Sequence, residues 1–285
     1  MNLENQMKMQ TRLKCVYCVV FCSVIIATAS VLPAAQTKNI NGKDQKSIDA
    51  ISAATTALGG EKSIDSVKSL IMTGKLEFLS NGSEQNIEIK ILLPDNYLSI
   101  GTGRNSVSYR GISNNRAFNI AFFGAEKVNM PLIRREEETN RFVVMLLGLL
   151  FKCGPVAPLT LSSVADAADK FSISKEDGIL GEIEFDFKEK YPLLINYRDV
   201  VSTIMPKTTV KPKTNKIVNF ATEFHTVSET VDAVVRFEDR TKVDGIMFPK
   251  TIVFESRGEA DTKIRLEKIQ INPKLTIDDF EVPPQ

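Results

Sequence analysis

Apolar positions change their spacing early in the chain. Between residues 48 and 58 they recur every three or four positions and are followed by Gly59-Gly60, which is typical of an amphipathic helix with a glycine stop. Beyond this helix, apolar and polar residues alternate, as in strands with one buried face. The alternation over 70–78 and 87–93, on either side of Asn81-Gly82, predicts a β-hairpin.

Short alternating segments continue to the end of the chain. Residues 97–122 predict three further strands of an antiparallel meander, and residues 171–271 predict the remaining strands. The register of the last strand shifts between Leu266 and Ile269, which indicates a β-bulge. The pattern predicts a mainly β (α+β) fold of about 11 antiparallel strands, and an antiparallel sheet with one apolar face can curl into an open barrel.

One helix interrupts the sheet and has no polar side along its second half. Residues 133–152 are predicted to be helical, and the run from Phe142 to Phe151 is apolar throughout. A surface helix keeps a polar face, so this segment must be covered on all sides or lie against an apolar ligand. We expect helices to cover the concave face of the barrel, which is either a filled core or a hollow for acyl chains.

The first 35 residues differ in composition from the rest. A basic stretch ends at Lys14, residues 15–31 carry no charge, and Ala27-Thr28-Ala29 offers the small residues that signal peptidase requires. Residues 1–35 are therefore predicted to be a signal peptide, and an uncleaved anchor formed by 15–31 is the alternative. Both interpretations predict export.

The rest of the chain is predicted to be a linker followed by a single domain. Residues 36–45 are polar and aperiodic, and 46–285 contain no further linker or internal repeat. The formal net charge of the chain is +1. A nearly neutral protein has no general electrostatic attraction for nucleic acid, so no nucleic-acid partner is expected.

The segment 205–216 is locally basic. Its lysines are Lys207, Lys211, Lys213 and Lys216. We interpret it as a solvated loop between strands, and the alternative is a contact with anionic lipid head groups or with an acidic partner.

Residues suited to catalysis or metal binding are few. His225 is the only histidine, which excludes zinc sites with two or more imidazoles, and no Gly-x-Ser-x-Gly motif supplies a serine nucleophile. Cys153 is the only cysteine beyond residue 35, so no intramolecular disulfide is expected there. We interpret His225 as a half-exposed strand residue and Cys153 as a buried one. This scarcity favours a binding or carrier role over an enzyme.

Four short segments, in order along the chain, carry a family resemblance. They are Ala57-Leu-Gly-Gly60, Val67-Lys-Ser-Leu70 with Gly74, the stretch from Arg236-Phe-Glu-Asp239 to Pro249, and the closing stretch from Ile271-Asn-Pro273 to Pro283. Together they make residues 46–283 resemble the LolA/LolB-like periplasmic lipoprotein carriers. The resemblance implies a half-open antiparallel barrel closed by helices, a periplasmic location, an apolar cavity for lipid or acylated protein, and neither cofactor nor catalytic residues.

The residues expected to line this cavity and its lid follow from the strand alternation and the apolar helix. They are Met72, Leu76, Phe78, Ile89, Ile91, Phe118, Ile120, Phe142, Met145, Leu146, Leu149 and Leu150. The resulting hypothesis is a monomeric carrier that holds lipid or the acyl chains of lipoproteins for transfer to the outer membrane. One alternative is an envelope structural or protein-interaction module with a filled barrel, and another is a hydrolase that uses carboxylates alone.

Overall fold

The computed structural model describes residues 40–128, 134–155, 158–176, 178–207 and 223–281. The predicted signal or anchor segment 1–35 lies outside the described residues, as do Lys211, Lys213 and Lys216. Lys207 and His225 lie in strands, and only their backbone is described.

Helices are few in the described part of the chain, and strands account for most of it. The α-helices are α1 (Gln45–Ala57), α2 (Glu61–Ser66) and α3 (Arg135–Leu150), and a short 3-10 helix spans Ile277–Phe280. The strands are β1 (Ile40–Gly42), β2 (Ser69–Phe78), β3 (Ser83–Leu92), β4 (Asn96–Thr102), β5 (Ser106–Ser113), β6 (Arg116–Phe123), β7 (Glu126–Val128), β8 (Leu159–Ser163), β9 (Lys170–Lys175), β10 (Gly178–Phe185), β11 (Pro192–Lys207), β12 (Glu223–Val243), β13 (Ile246–Ser256) and β14 (Glu259–Ile271).

All these strands belong to one sheet. Their order is β1-β8-β9-β10-β11-β12-β13-β14-β2-β3-β4-β5-β6-β7. Only β1 and β8 pair in parallel among the described strands. The order begins at β1 and ends at β7, so the sheet is open. Helix α3 contacts β5 and β6 near one edge and β11, β12 and β13 in the other half, which places it on the concave side of a curled sheet. The predicted mainly β fold with helices on its concave face is confirmed.

The sheet has fourteen strands instead of the eleven or so that the alternation predicts. Strands β1 and β7 have three residues each, which is too short for a period of two to be recognised. Strand β1 lies inside the stretch predicted as a linker. Strand β12 is a single strand of 21 residues, where the sequence predicts two shorter ones.

Helix α1 begins with a capping box that also ties it to the sheet. The Asp44 carboxylate accepts a hydrogen bond from the backbone N–H of Ser47 at 2.8 Å and one from the backbone N–H of Ser163 at 2.9 Å. These hydrogen bonds, that from Ser163 first, lower the pKa of Asp44. The helix ends at Ala57, and Gly59 follows the C-cap residue Leu58 with a φ of 126° that suits glycine, so the predicted glycine stop is confirmed.

The predicted hairpin and bulge are both present. Strands β2 and β3 pair without interruption from Ser69↔Leu92 to Phe78↔Ser83. The pairing of β14 with β2 shifts between Leu266 and Lys268. Gly74 lies opposite this shift, where a Cβ would be 1.9 Å from the carbonyl oxygen of Arg265. A glycine is therefore needed for the two strands to approach each other at the bulge.

Candidate functional site

The apolar half of α3 is enclosed by the sheet. Every residue from Phe142 to Leu150 is buried. The most exposed apolar side chain in this run is that of Met145, with an exposed fraction of 4%. The Phe142 ring stacks on that of Tyr97 from β4, with centroids 5.3 Å apart. The apolar run is thus covered on all sides by protein, which was one of the two arrangements expected from its lack of a polar face.

Strands β2 and β3 contribute to the same buried core as α3. Met72 is paired with Ile89, and Leu70 with Ile91, so all four side chains share one face of the sheet. All four are buried. This face continues through Tyr97, the cross-strand partner of Ile91, to the stack with Phe142. Met72, Ile89 and Ile91 are therefore on the concave face, as expected from the sequence.

Phe118 and Ile120 are on the opposite face of the sheet. The pairs Tyr97↔Ile112 and Ile112↔Ala117 carry the concave face from β4 to β6. Because side chains alternate along a strand, Phe118 and Ile120 point to the convex side. The structure therefore does not bring these two residues together with the other ten that were predicted to line the cavity.

The convex side of β4, β5 and β6 is apolar and has its own cover. Tyr109 and Phe122 lie there with ring centroids 6.1 Å apart. The 3-10 helix near the C-terminus contacts β4 and β5, and its Phe280 has no exposed surface. Phe118 and Ile120 are half-buried members of this convex cluster.

The concave face extends beyond α3 towards the β2–β3 turn. Leu76 and Phe78 follow Met72 on the same face of β2, and both are half-buried. Phe254 of β13 is also half-buried and lies across β14 from them through its partner Thr262. Apolar side chains thus line a part of the concave face that α3 leaves partly exposed.

Arg240 holds the C-terminal end of α3. Its guanidinium donates to the backbone carbonyl oxygens of Gly148, at 3.3 Å, and of Pro192, and lies 5.2 Å from the centre of the Tyr191 ring. Burial lowers the pKa of Arg240 to about 10. A cation at this end of a helix also interacts favourably with the helix dipole.

Charged side chains link the first turns of α3 to both halves of the sheet. Arg110 of β5 donates to Glu138 Oε2 through Nε at 2.9 Å and Nη2 at 2.7 Å. Arg141 donates through Nη2 to Asp199 Oδ2 on β11, and the Tyr197 hydroxyl donates to the same oxygen at 3.2 Å. We call these five residues the polar layer. It crosses the concave face beside the apolar part of α3.

Burial and charge shift the pKa values around the polar layer. Burial, assisted by the Glu138 carboxylate, raises the pKa of Tyr97 to about 12. Burial also raises the pKa of Tyr197. Burial lowers the pKa of Arg141, but Glu138 and Asp199 outweigh it, so the guanidinium titrates above its usual range. Both tyrosines are neutral and Arg141 is charged at neutral pH.

Lys152 and Cys153 follow the end of α3. The Lys152 ammonium donates to the carbonyl oxygen of Val67 at 3.3 Å and lies 3.9 Å from Asp65. Burial lowers the pKa of Lys152 to about 8, and Asp65 offsets part of this effect. Cys153 is buried, as expected from its position after the apolar helix.

The described part of the chain offers neither a cluster of metal ligands nor a helix that could span a membrane. In residues 40–281, outside the gaps given above, no three His, Cys, Asp or Glu side chains are grouped so that they could hold a metal ion. None of the helices described is long and apolar enough to cross a membrane.

The polar layer is the part of the site that sequence reasoning missed. The charged residues 134–138 can form charge pairs along the first turns of the predicted helix, and this pattern alone does not indicate that one of them is buried. Glu138 precedes Phe142 by four positions, which places it on the same side of α3 as the buried ring. This spacing was a signal that Glu138 is buried.

No family model matches the chain, and no curated protein matches it. Three solved structures are similar in fold. A domain described as that of an outer membrane lipoprotein-sorting protein, from Vibrio parahaemolyticus, is 11% identical with a TM-score of 0.42, and the alignment covers 82% of this chain and 96% of that domain. A DUF1329 family protein from Desulfovibrio piger is 9% identical with a TM-score of 0.43 and the same coverage of 82% and 96%.

A LolA superfamily protein from Nitrosomonas europaea is 9% identical with a TM-score of 0.38, and the alignment covers 80% of this chain and 97% of that protein.

Proposed function

We propose that this protein is an exported, monomeric binding protein of the bacterial periplasm that carries lipid or the acyl chains of lipoproteins, and not an enzyme. The observation that carries the proposal is the apolar concave face itself, which α3 covers only in part. Leu76, Phe78 and Phe254 continue this face and remain half-buried. An acyl chain laid along them would gain about 0.8 kcal/mol for each CH₂ group that it buries.

Helix α3 is the movable part in this proposal. Its apolar side chains occupy the concave face, and an acyl chain would contact the same face when residues 142–150 move away from it while the polar layer keeps the first turns of the helix in place. Apolar packing is not directional, so the same surface suits a lipid chain as well as an apolar helix. The proposed binding residues are therefore Met72, Leu76, Phe78, Ile89 and Ile91 on the sheet and Phe142, Met145, Leu146, Leu149 and Leu150 on α3.

One observation favours a second candidate, an envelope structural or protein-interaction module with a filled interior. Leu146, Leu147, Leu149 and Leu150 have no exposed surface, which is typical of a well-packed core. In this case α3 stays in place, and the half-buried residues near the β2–β3 turn are only the edge of that core.

The experiment that separates these candidates is lipid binding by the exported, full-length chain. We expect native mass spectrometry of protein purified in mild detergent to show bound lipid. After lipid removal, a fluorescent monoacylglycerol should bind with micromolar or better affinity. Absence of both bound lipid and probe binding would establish the filled module instead.

Two variants test which face of the sheet binds the acyl chain. Leu76→Gln and Ile120→Gln both change a half-buried apolar strand residue, but on opposite faces of the sheet. We expect Leu76→Gln to weaken binding of the fluorescent monoacylglycerol at least ten-fold and Ile120→Gln to leave it unchanged. Equal losses in the two variants would contradict binding on the concave face.

A further inference from the structure

Two atoms of the polar layer are buried without a hydrogen-bond partner. They are Glu138 Oε1 and Arg141 Nε. The geometry explains the first, because both contacts from Arg110 go to the other oxygen, Oε2. The Glu138 side chain has no exposed surface. Buried polar groups are almost always hydrogen-bonded, so one unpartnered acceptor and one unpartnered donor in a single layer call for an explanation.

The wall beside the polar layer is made of small and polar side chains. Ser99 and Asn119 are the cross-strand partners of Arg110, and Ser108 lies two positions before it on the same face. All three are half-buried. The side chains of Arg110 and Arg141 are 33% and 21% exposed, so the layer borders a surface that solvent reaches. The concave face is therefore apolar at β2 and β3 and polar beside the polar layer.

The charges of the layer limit what can bind there. Two arginines are balanced by two carboxylates, so the layer has no net charge. An anionic head group would face the unpartnered Glu138 oxygen, and a cationic one would face Arg110 and Arg141. An uncharged group with one donor and one acceptor satisfies Glu138 Oε1 and Arg141 Nε together.

We infer that the polar layer, with Ser99, Ser108 and Asn119, binds the uncharged head of an acyl ligand, through a hydroxyl or amide N–H that donates to Glu138 and a carbonyl that accepts from Arg141. This inference rests on the proposed function. A free acylglycerol and an N-acylated peptide share this chemistry. The acyl chain extends from the layer along the concave face, while the layer selects the head group.

Competition between ligands with the same acyl chain tests the inference. A fluorescent monoacylglycerol is displaced from the delipidated, exported protein at pH 8 by four competitors: monoacylglycerol, N-acylated peptide, fatty acid and alkyltrimethylammonium. We expect one or both uncharged competitors to act at concentrations at least ten-fold lower than either charged one. The ratio between the first two identifies the source of the head group.

Two variants locate the selection within the layer. Glu138→Gln removes the charge that repels anions, and we expect the preference for monoacylglycerol over fatty acid to fall below three-fold. Ser108→Val keeps all four charges and fills space on the wall, and we expect it to weaken monoacylglycerol binding about ten-fold. Val107→Leu, on the opposite face of β5, is the matched control and should bind as the wild type does.

The outcomes separate the two levels of the proposal. Equal competition by all head groups, or wild-type selectivity in Glu138→Gln together with wild-type affinity in Ser108→Val, would overturn the inference and leave the proposed function standing. Failure of the wild type to bind the probe would overturn both. If Glu138→Gln does not fold, Ser108→Val against Val107→Leu decides the matter.

Discussion

Gly148 on α3 and Phe237 on β12 are packed so closely that no further atom fits between them. A Cβ at position 148 would lie 1.9 Å from Cζ of the Phe237 ring and 2.1 Å from Cε1. Glycine within a helix costs about 1 kcal/mol relative to alanine. The close approach explains why a glycine nonetheless interrupts the apolar run of α3, and this contact fixes how deeply the helix lies against the sheet.

Gly148→Ala is expected to destabilise the protein by about 1–3 kcal/mol, because overpacking against Phe237 outweighs the better helix propensity of alanine. Urea unfolding measures the free energy. The control is the same substitution in a Phe237→Leu background, where the ring is absent and the loss should be smaller. A stabilising effect of Gly148→Ala in the wild-type background would show that α3 does not rest on Phe237.

Asp199→Asn is expected to cost about 3 kcal/mol, because it leaves the Arg141 guanidinium without its partner on β11. Asp232→Asn is the matched control. Asp232 pairs with Arg198 at 3.7 Å on the neighbouring strands, but both side chains are at least 80% exposed. This second change should alter the free energy of unfolding by less than about 0.5 kcal/mol. Similar losses in the two variants would contradict the burial of the polar layer.

Because of Lys152, we expect the free energy of unfolding to change with pH in the alkaline range. Its pKa is about 8 in the folded state and 10.5 in the unfolded chain, so between these values the unfolded chain binds more protons. Stability attributable to Lys152 therefore rises with pH through this window, by about 2 kcal/mol between pH 7 and pH 10. Denaturant unfolding at both pH values should show this rise in the wild type and in Lys62→Met, an exposed control, but not in Lys152→Met.

Phe280→Ala is expected to destabilise the protein by about 3 kcal/mol, because the 3-10 helix packs against β4 and β5 and the Phe280 ring has no exposed surface. The ring lies outside the proposed binding face, so the affinity for the fluorescent monoacylglycerol should stay within two-fold of the wild type under folding conditions. Ile277→Ala is the control in the same helix, since Ile277 is 37% exposed. If the affinity for the probe falls by more than the unfolded fraction of the variant accounts for, Phe280 is part of the binding site.

The sequence predicts where the helices and strands lie better than it predicts which side chains are on the concave side of the sheet. The hairpin around Asn81-Gly82 and the bulge after Leu266 are confirmed, because alternation and turn chemistry are local signals. Alternation also places Phe118 and Ile120 together. It does not say which face of a strand is concave, and here the apolar face of β6 is the convex one.

The candidate site was predicted in its apolar part only. Met72, Ile89 and the run that starts at Phe142 were recognised because apolar residues repeat at the period of their element. The pairing of Arg110 with Glu138 joins residues that are 28 positions apart, and no periodicity links them. Contacts of this kind follow from the curvature of the sheet, which a local pattern does not encode.

The pairing of β1 with β8 has a consequence for the order in which the sheet is completed. Ile40 and Leu159, which are partners in this pairing, are 119 positions apart, and Lys68 and Asn272, which join the start of β2 to the end of β14, are 204 apart. During folding from the N-terminus, β2 to β6 can pair with their neighbours at once. Strand β1 has no partner until β8 is available, and one edge of β2 waits for β14, the last strand. Two strand edges are therefore exposed to solvent until late in folding, and each can pair with another chain before its own partner arrives.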